Sequence, residues 1–136
     1  MSMRIEIRSL APAVPSSAGQ AIVSSAAALG ISALQECRIV RLYFLEHDPG
    51  PAALQRLCAF LLTDPVLERA AWGPVDREAE AGSGAADAHV VEVAYRPGVT
   101  DVAARELARG MVEIGLPACE VATGTRFELT GVLAGD

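Results

Sequence analysis

The sequence predicts an α+β fold built from two related β-α-β units in tandem, the second cut short, with helices on one face of a mainly antiparallel sheet. Three observations lead there. Short alternating strand patterns are interleaved with helical stripes. The pattern restarts about 85 residues after it begins. The 136 residues are 51% hydrophobic but only 4% aromatic, which gives a core of Ala, Val, Leu and Ile sized for one compact domain.

Arg4 to Arg8 alternates Ile5 and Ile7 with Glu6 and Arg8, as a strand with one buried face does. After the loop from Ala11 to Pro15, Ser16 or Ser17 can cap a helix reaching Leu29 and stopped by Gly30, with Ala18, Ile22, Ala26 and Leu29 as its apolar stripe. Its many alanines suggest close packing on the sheet. Glu36 to Leu45 is nearly continuous in β-branched, aromatic and aliphatic residues, which predicts a central strand. Pro49 and Pro51 flank Gly50 at the start of a second helix with Leu54, Leu57, Cys58 and Leu61 in line, ending at Thr63-Asp64-Pro65. A third strand is expected from Val66 to Trp72.

The stretch 73–88 is acidic and rich in Gly and Ala, and reads as a linker between a first unit, 1–72, and a second, 89–136. The second unit opens with an alternating strand, His89 to Tyr95, and the turn Arg96-Pro97-Gly98-Val99. Thr100 or Asp101 caps a helix with Ala103, Leu107, Gly110, Met111 and Ile114 on one face, and Arg105, Arg109 and Glu113 on the other. Glu120 to Leu129 offers the last strand. A shift of 85 places Ser16 on Asp101, Ile22 on Leu107 and Leu29-Gly30 on Ile114-Gly115, while the first strands align better at 86. The first unit therefore carries one extra residue in its opening loop. Each β-α-β step is expected to cross over right-handed.

Composition excludes several functions. The net charge is −6, against a nucleic-acid or anionic-membrane surface. All eleven basic residues are arginine, so neither a Schiff-base lysine nor a Walker-type phosphate lysine is present. No apolar run has the length of a membrane span and the start lacks a signal-peptide pattern, so a cytoplasmic protein is expected. Cys37, Cys58 and Cys119 are odd in number and lack a C-x-x-C pair, which indicates neither a disulfide framework nor a zinc site. His47 and His89 have no ligand-spaced neighbours, and the expected metal complement is none.

Three motifs carry a resemblance. They are Arg96-Pro97-Gly98-Val99-Thr100-Asp101, the helix ends Leu29-Gly30 and Ile114-Gly115, and, most specifically, Leu61-Leu62-Thr63-Asp64-Pro65-Val66-Leu67-Glu68. Together they resemble the PurS-like N-terminal region of phosphoribosylformylglycinamidine synthase (formylglycinamide ribonucleotide amidotransferase, PurL), an ATP- and glutamine-dependent ligase of purine biosynthesis. In that family the small unit is a dimerising subunit or two fused copies, and the fused arrangement is similar to this chain. The first unit departs at Pro12-Ala13-Val14-Pro15-Ser16, and the second lacks the L-L-x-[ND]-P segment.

The resemblance implies a non-catalytic module that bridges the synthetase body and the glutaminase part and helps hold a path for ammonia. It implies no cofactor for this chain, with ATP and Mg belonging to the parent enzyme. A homodimer is a further arrangement it allows. Gly98, Asp101, Asp64 and Pro65 are then structural: a tight turn, a helix cap and a helix stop. Arg96 and Arg126, at strand edges, are the candidate partner contacts, since arginine makes bidentate contacts to a carboxylate or a partner backbone.

The other chemistry-bearing residues read as structural. Cys58 lies on an apolar stripe where packing outweighs a nucleophile. Asp76, Glu78 and Glu80 fall in the linker with nothing to fix their separation, and Gly82-Ser83-Gly84 lacks the strand and helix of a phosphate loop. Two other functions fit the pattern: a free-standing ACT or ferredoxin-like module binding a small molecule, and a small hydrolase or isomerase using a cysteine.

Overall fold

The computed structural model describes residues 1–10, 16–76 and 89–132. Five strands and three helices are present among them: β1 (Met3–Ser9), α1 (Ser17–Ala28), β2 (Leu34–Leu45), α2 (Pro51–Leu57), β3 (Glu68–Pro74), β4 (His89–Ala94), α3 (Val102–Glu113) and β5 (Val121–Gly131), with a π-helical turn, Cys58–Leu62, continuing α2. The strands form one antiparallel sheet in the order β3-β1-β2-β5-β4. The fold class is α+β, as the patterning predicts, and the continuous apolar segment of β2 is indeed central. The two strands of each β-α-β step, β1 with β2 and β4 with β5, lie side by side and antiparallel. The expected right-handed crossover is therefore replaced, because that rule governs parallel neighbours.

The helix ends recur at the spacing of the sequence pattern. Ser16 caps α1 through Gly19 N–H and Asp101 caps α3 through Ala104 N–H, 85 positions apart, and each helix runs twelve residues. Gly30 and Gly115 follow at the same spacing, with φ of 87° and 86°. In the sheet, cross-strand neighbours run Ile7, Arg41, Thr125, Val93. Ile5, Ile7, Val91 and Val93 thus share one face, and β1 corresponds to β4 at the shift of 86 that the sequence favours. The loop 11–15 that would hold the extra residue lies outside the described residues.

The core sits on that face over the first unit. Met3, Ile5 and Ile7 of β1 and Leu45 of β2 pack against Leu54, Leu57 and Cys58 of the α2 segment and Leu107 and Met111 of α3. Gly110 lets α3 pass Leu61 closely, a Cβ there lying 3.2 Å from its side chain. The buried stripe of α2 is Leu54, Leu57, Cys58 and Leu62, whereas Leu61 is exposed. This corrects the expected stripe by one residue. The π turn, closed by Thr63 N–H donating to the Cys58 carbonyl at 2.9 Å, inserts a residue and rotates Leu62 inward.

Other boundaries differ for local reasons. Asp64 Oδ1 accepts from Val66 N–H at 2.9 Å and its carbonyl from Glu68 N–H at 2.8 Å. That turn delays β3 to Glu68 and leaves Val66 and Leu67 exposed. At its other end β3 takes in Gly73 and Pro74, paired with Arg4 and Met3, so the first unit runs past the expected boundary at 72. The rest of the expected linker, 77–88, and the tail 133–136 lie outside the described residues.

The helices also face differently from the prediction. In α1 only Gly19 is buried, with Val23 and Ala26 half-buried, while Ile22 and Leu29 are exposed. The reason is a close approach: a Cβ on Gly19 would lie 2.2 Å from the Cys37 carbonyl oxygen, so the helix touches β2 at its one residue without a side chain. Most of its alanines face outward. In α3 the buried residue of the first turn is Ala104, not Ala103.

Candidate functional site

The sheet face away from the core helices holds the main concentration of charge among the described residues. Period-2 alternation puts Arg4, Glu6 and Arg8 of β1, Glu92 of β4 and Arg126 and Glu128 of β5 on that face. They close a ring. Arg4 Nε donates to Glu6 (3.0 Å), Arg8 Nη2 to Glu6 (3.3 Å) and Arg8 Nη1 to Glu128 (2.6 Å). Arg126 Nε donates to Glu128 (3.2 Å) and Nη1 to Glu92 (3.3 Å). Arg4 completes the circuit with a bidentate grip on Glu92, one arm of it at 3.0 Å.

Three cations and three anions alternate around the ring, which is neutral as a whole. Val40 and Leu42 of β2, each 1% exposed, lie beneath it, so the arginine stems act as a cover for the apolar middle of the sheet. Arg4 passes over the Phe44 ring at 5.8 Å to reach Glu92 three strands away, about 14 Å at usual strand spacing. Glu6, Arg126 and Glu128 are buried, although the alternation alone assigns Glu6 to solvent.

The ring tunes its acids downward. The hydrogen bond from Arg4, opposed by burial and reinforced by the charges of Arg4 and Arg126, holds the Glu92 carboxyl below its ordinary range. For Glu128 burial is the largest influence and acts upward, but hydrogen bonds and charge from Arg8 and Arg126 together outweigh it and lower the carboxyl. Both stay ionised at neutral pH. A general acid needs the opposite, a carboxyl raised toward 7.

Cys58 and Cys37 are equally unsuited to attack. Burial pushes the Cys58 thiol up to about 11 and raises that of Cys37. Thiolate chemistry requires a lowered value. This counts against Cys37 and Cys58 as the nucleophile of a cysteine hydrolase. Among the described residues no three of His, Cys, Asp and Glu converge as a cation cage, and His47 and His89 stand apart. A shallow cleft of about 350 Å³ between α1 and β2 is lined by Gly19, Gln20, Val23, Ser24, Gln35, Glu36 and Cys37.

The predicted structural residues do local work. Arg96 to Val99 forms a turn closed by Val99 N–H on the Arg96 carbonyl (3.1 Å), and Gly98 takes φ of 86°, the left-handed conformation that Pro-Gly supplies. Asp101 caps α3 with one oxygen (Ala104 N–H, 2.9 Å) and holds Thr123 of β5 with the other (backbone N–H, 2.8 Å; hydroxyl, 2.9 Å). One carboxylate thus ties helix to strand. Asp101→Ala is expected to cost about 2 kcal/mol in urea unfolding, the upper end of a lost cap, while Asp101→Asn keeps much of it.

The Asp64-Pro65 motif is locked by an arginine the sequence does not single out. Arg41 Nη2 donates to the Leu62 carbonyl (2.9 Å) and to both oxygens of Glu68 (2.8 Å), and Glu68 in turn accepts from Asp64 N–H (3.1 Å). The start and end of the Leu61–Glu68 motif are thereby held to β2. Of the two predicted partner contacts, Arg96 is exposed in its turn and Arg126 is buried in the ring, engaged by Glu92 and Glu128. The structure does not bring them together. Arg4, Glu6, Arg8 and Glu128 were legible only as parts of an Arg-x-Glu-x-Arg strand and an Arg-x-Glu strand of matching period, and Glu92 only as a lone charge in an alternating strand.

No helix among the described residues is long and apolar enough to cross a membrane. No protein-family model, curated protein or solved structure matches this chain.

Proposed function

We propose that this chain is a non-catalytic, PurS-like scaffold module of phosphoribosylformylglycinamidine synthase, holding the synthetase and glutaminase parts together for ammonia transfer. The observation that supports this reading most is the internal pairing. Two strand–helix–strand units with equivalent helix caps join through the long β2–β5 ladder into one sheet, which is the arrangement the resemblance implies for fused copies. The chemistry of the described residues agrees with a scaffold: Glu92 and Glu128 lowered by arginine, the Cys37 and Cys58 thiols raised by burial, and the charges of the ring paired within the chain.

The test is reconstitution. The chain, mixed with separately produced synthetase and glutaminase parts of the same source, is expected to co-elute with them and to raise glutamine-dependent synthesis. By itself it is expected to turn over neither glutamine nor formylglycinamide ribonucleotide with ATP and Mg. Absence of co-elution, or turnover by the chain alone, overturns the proposal. The cleft between α1 and β2 favours the small-molecule module as the second reading, and a melting temperature raised by an amino acid or nucleotide would support it.

A further inference from the structure

On the sheet face away from the core helices, one arginine stands outside the ring. Arg69 of β3 is the direct cross-strand partner of Arg8 in β1. Such partners have Cβ atoms about 5 Å apart, and like charges so placed weaken a sheet. The Arg69 side chain is exposed and makes no hydrogen bond or ion pair among the described residues. Glu6, the acid diagonal to it on β1, is taken by Arg4 and Arg8. The two acids that Arg8 engages in the ring are both shared, Glu6 with Arg4 and Glu128 with Arg126.

Within the strands, that face carries five arginines (Arg4, Arg8, Arg38, Arg69 and Arg126) against four glutamates (Glu6, Glu36, Glu92 and Glu128). Glu36 is held by Arg38. The surplus charge is Arg69, a cation set against a cation in a chain whose total is −6. An edge strand does gain from a charge that blocks further pairing. A glutamate at position 69 would block it equally and would also pair with Arg8, so edge protection alone does not account for arginine there.

We infer that Arg69 and Arg8 form a binding site for a phosphoryl group, as inorganic phosphate or the phosphate of a small monoester. Arg69 supplies forked N–H donors from a solvent-exposed strand, and the guanidinium fork matches phosphate oxygens two at a time. Arg8, anchored by the ring, adds a fixed positive charge beside it. Two opposed cations suit a dianion better than a single carboxylate charge, and a bound dianion converts their repulsion into a shared attraction. A polyanion is disfavoured, because the remainder of the chain has thirteen acids against six arginines. The site stands independently of the scaffold reading.

Thermal unfolding of the full chain at neutral pH and constant ionic strength, with phosphate replacing chloride, tests it. The melting temperature is expected to rise along a saturating curve, by about 4 °C once phosphate exceeds its dissociation constant tenfold. Arg69→Gln is expected to melt higher than the unmodified chain in chloride, because the repulsion is relieved, and to lose the phosphate response. Arg109→Gln, at an exposed position of α3, is expected to keep that response. Glycerol phosphate separates the two sources: a larger rise than with phosphate assigns the site to a monoester, an equal rise to the free ion. A rise that is the same in Arg69→Gln is general salting-out and overturns the inference. So does an unmodified chain that melts alike in phosphate and in chloride.

Discussion

Arg126→Ala is expected to lower the unfolding free energy by about 3 kcal/mol, a large part of the 5–15 kcal/mol typical of a domain. The residue is 7% exposed and bridges Glu92 and Glu128. Truncation leaves the buried Glu128 with Arg8 alone and uncovers Val40, so the loss combines an underpaired charge with lost cover. The pH dependence separates the two. Glu92 and Glu128 have native pKa values below those of the unfolded chain, so their contribution is complete above the ordinary carboxylate pKa, about 4, and vanishes as pH falls through the lower native values. The deficit of Arg126→Ala in urea is therefore expected to shrink between about pH 7 and pH 3. An offset that is the same at both values would assign the whole effect to packing.

Ile5→Ala is expected to cost about 4 kcal/mol, near the top of the range for large-to-small core substitutions. Ile5 is 0% exposed, and its strand is pinned between Tyr43 of β2 and Trp72 of β3. A backbone fixed by hydrogen bonds on both sides cannot collapse into the space, so most of the cavity remains. Val91→Ala, in the corresponding place on the other unit, removes a side chain that is already 47% exposed. Equal losses at the two positions in urea unfolding would mean that the second unit buries β4 in solution as fully as the first buries β1.

The asymmetry between those two positions also shows what could be read from the sequence. Local chemistry was legible: the Asp101 and Ser16 caps, the Pro97-Gly98 turn, the alternation of β1 and the continuous apolar run of β2 all follow from propensities a few residues long. The stripes of α1 and α2 were misplaced because they depend on distant partners. Gly19 was chosen by the Cys37 carbonyl, and Leu62 replaced Leu61 because of one inserted residue in a π turn. The charged ring was missed for a related reason. An Arg-x-Glu pattern looks solvated until the order β1-β2-β5-β4 brings Arg4 to Glu92 and Arg8 to Glu128, residues 88 and 120 positions apart in the chain.

The chain has a single tryptophan, and Trp72 lies in β3 directly across from Ile5. Its fluorescence is therefore a built-in optical label for the first unit, at the far end of the sheet from β4. Far-ultraviolet dichroism, by contrast, averages α3 and β5 together with everything else. If the ring and the β2–β5 ladder make the halves one cooperative body, the two signals melt along a single curve. With the ring cut at Arg126, any divergence between them measures how far one half can loosen while the other stays folded.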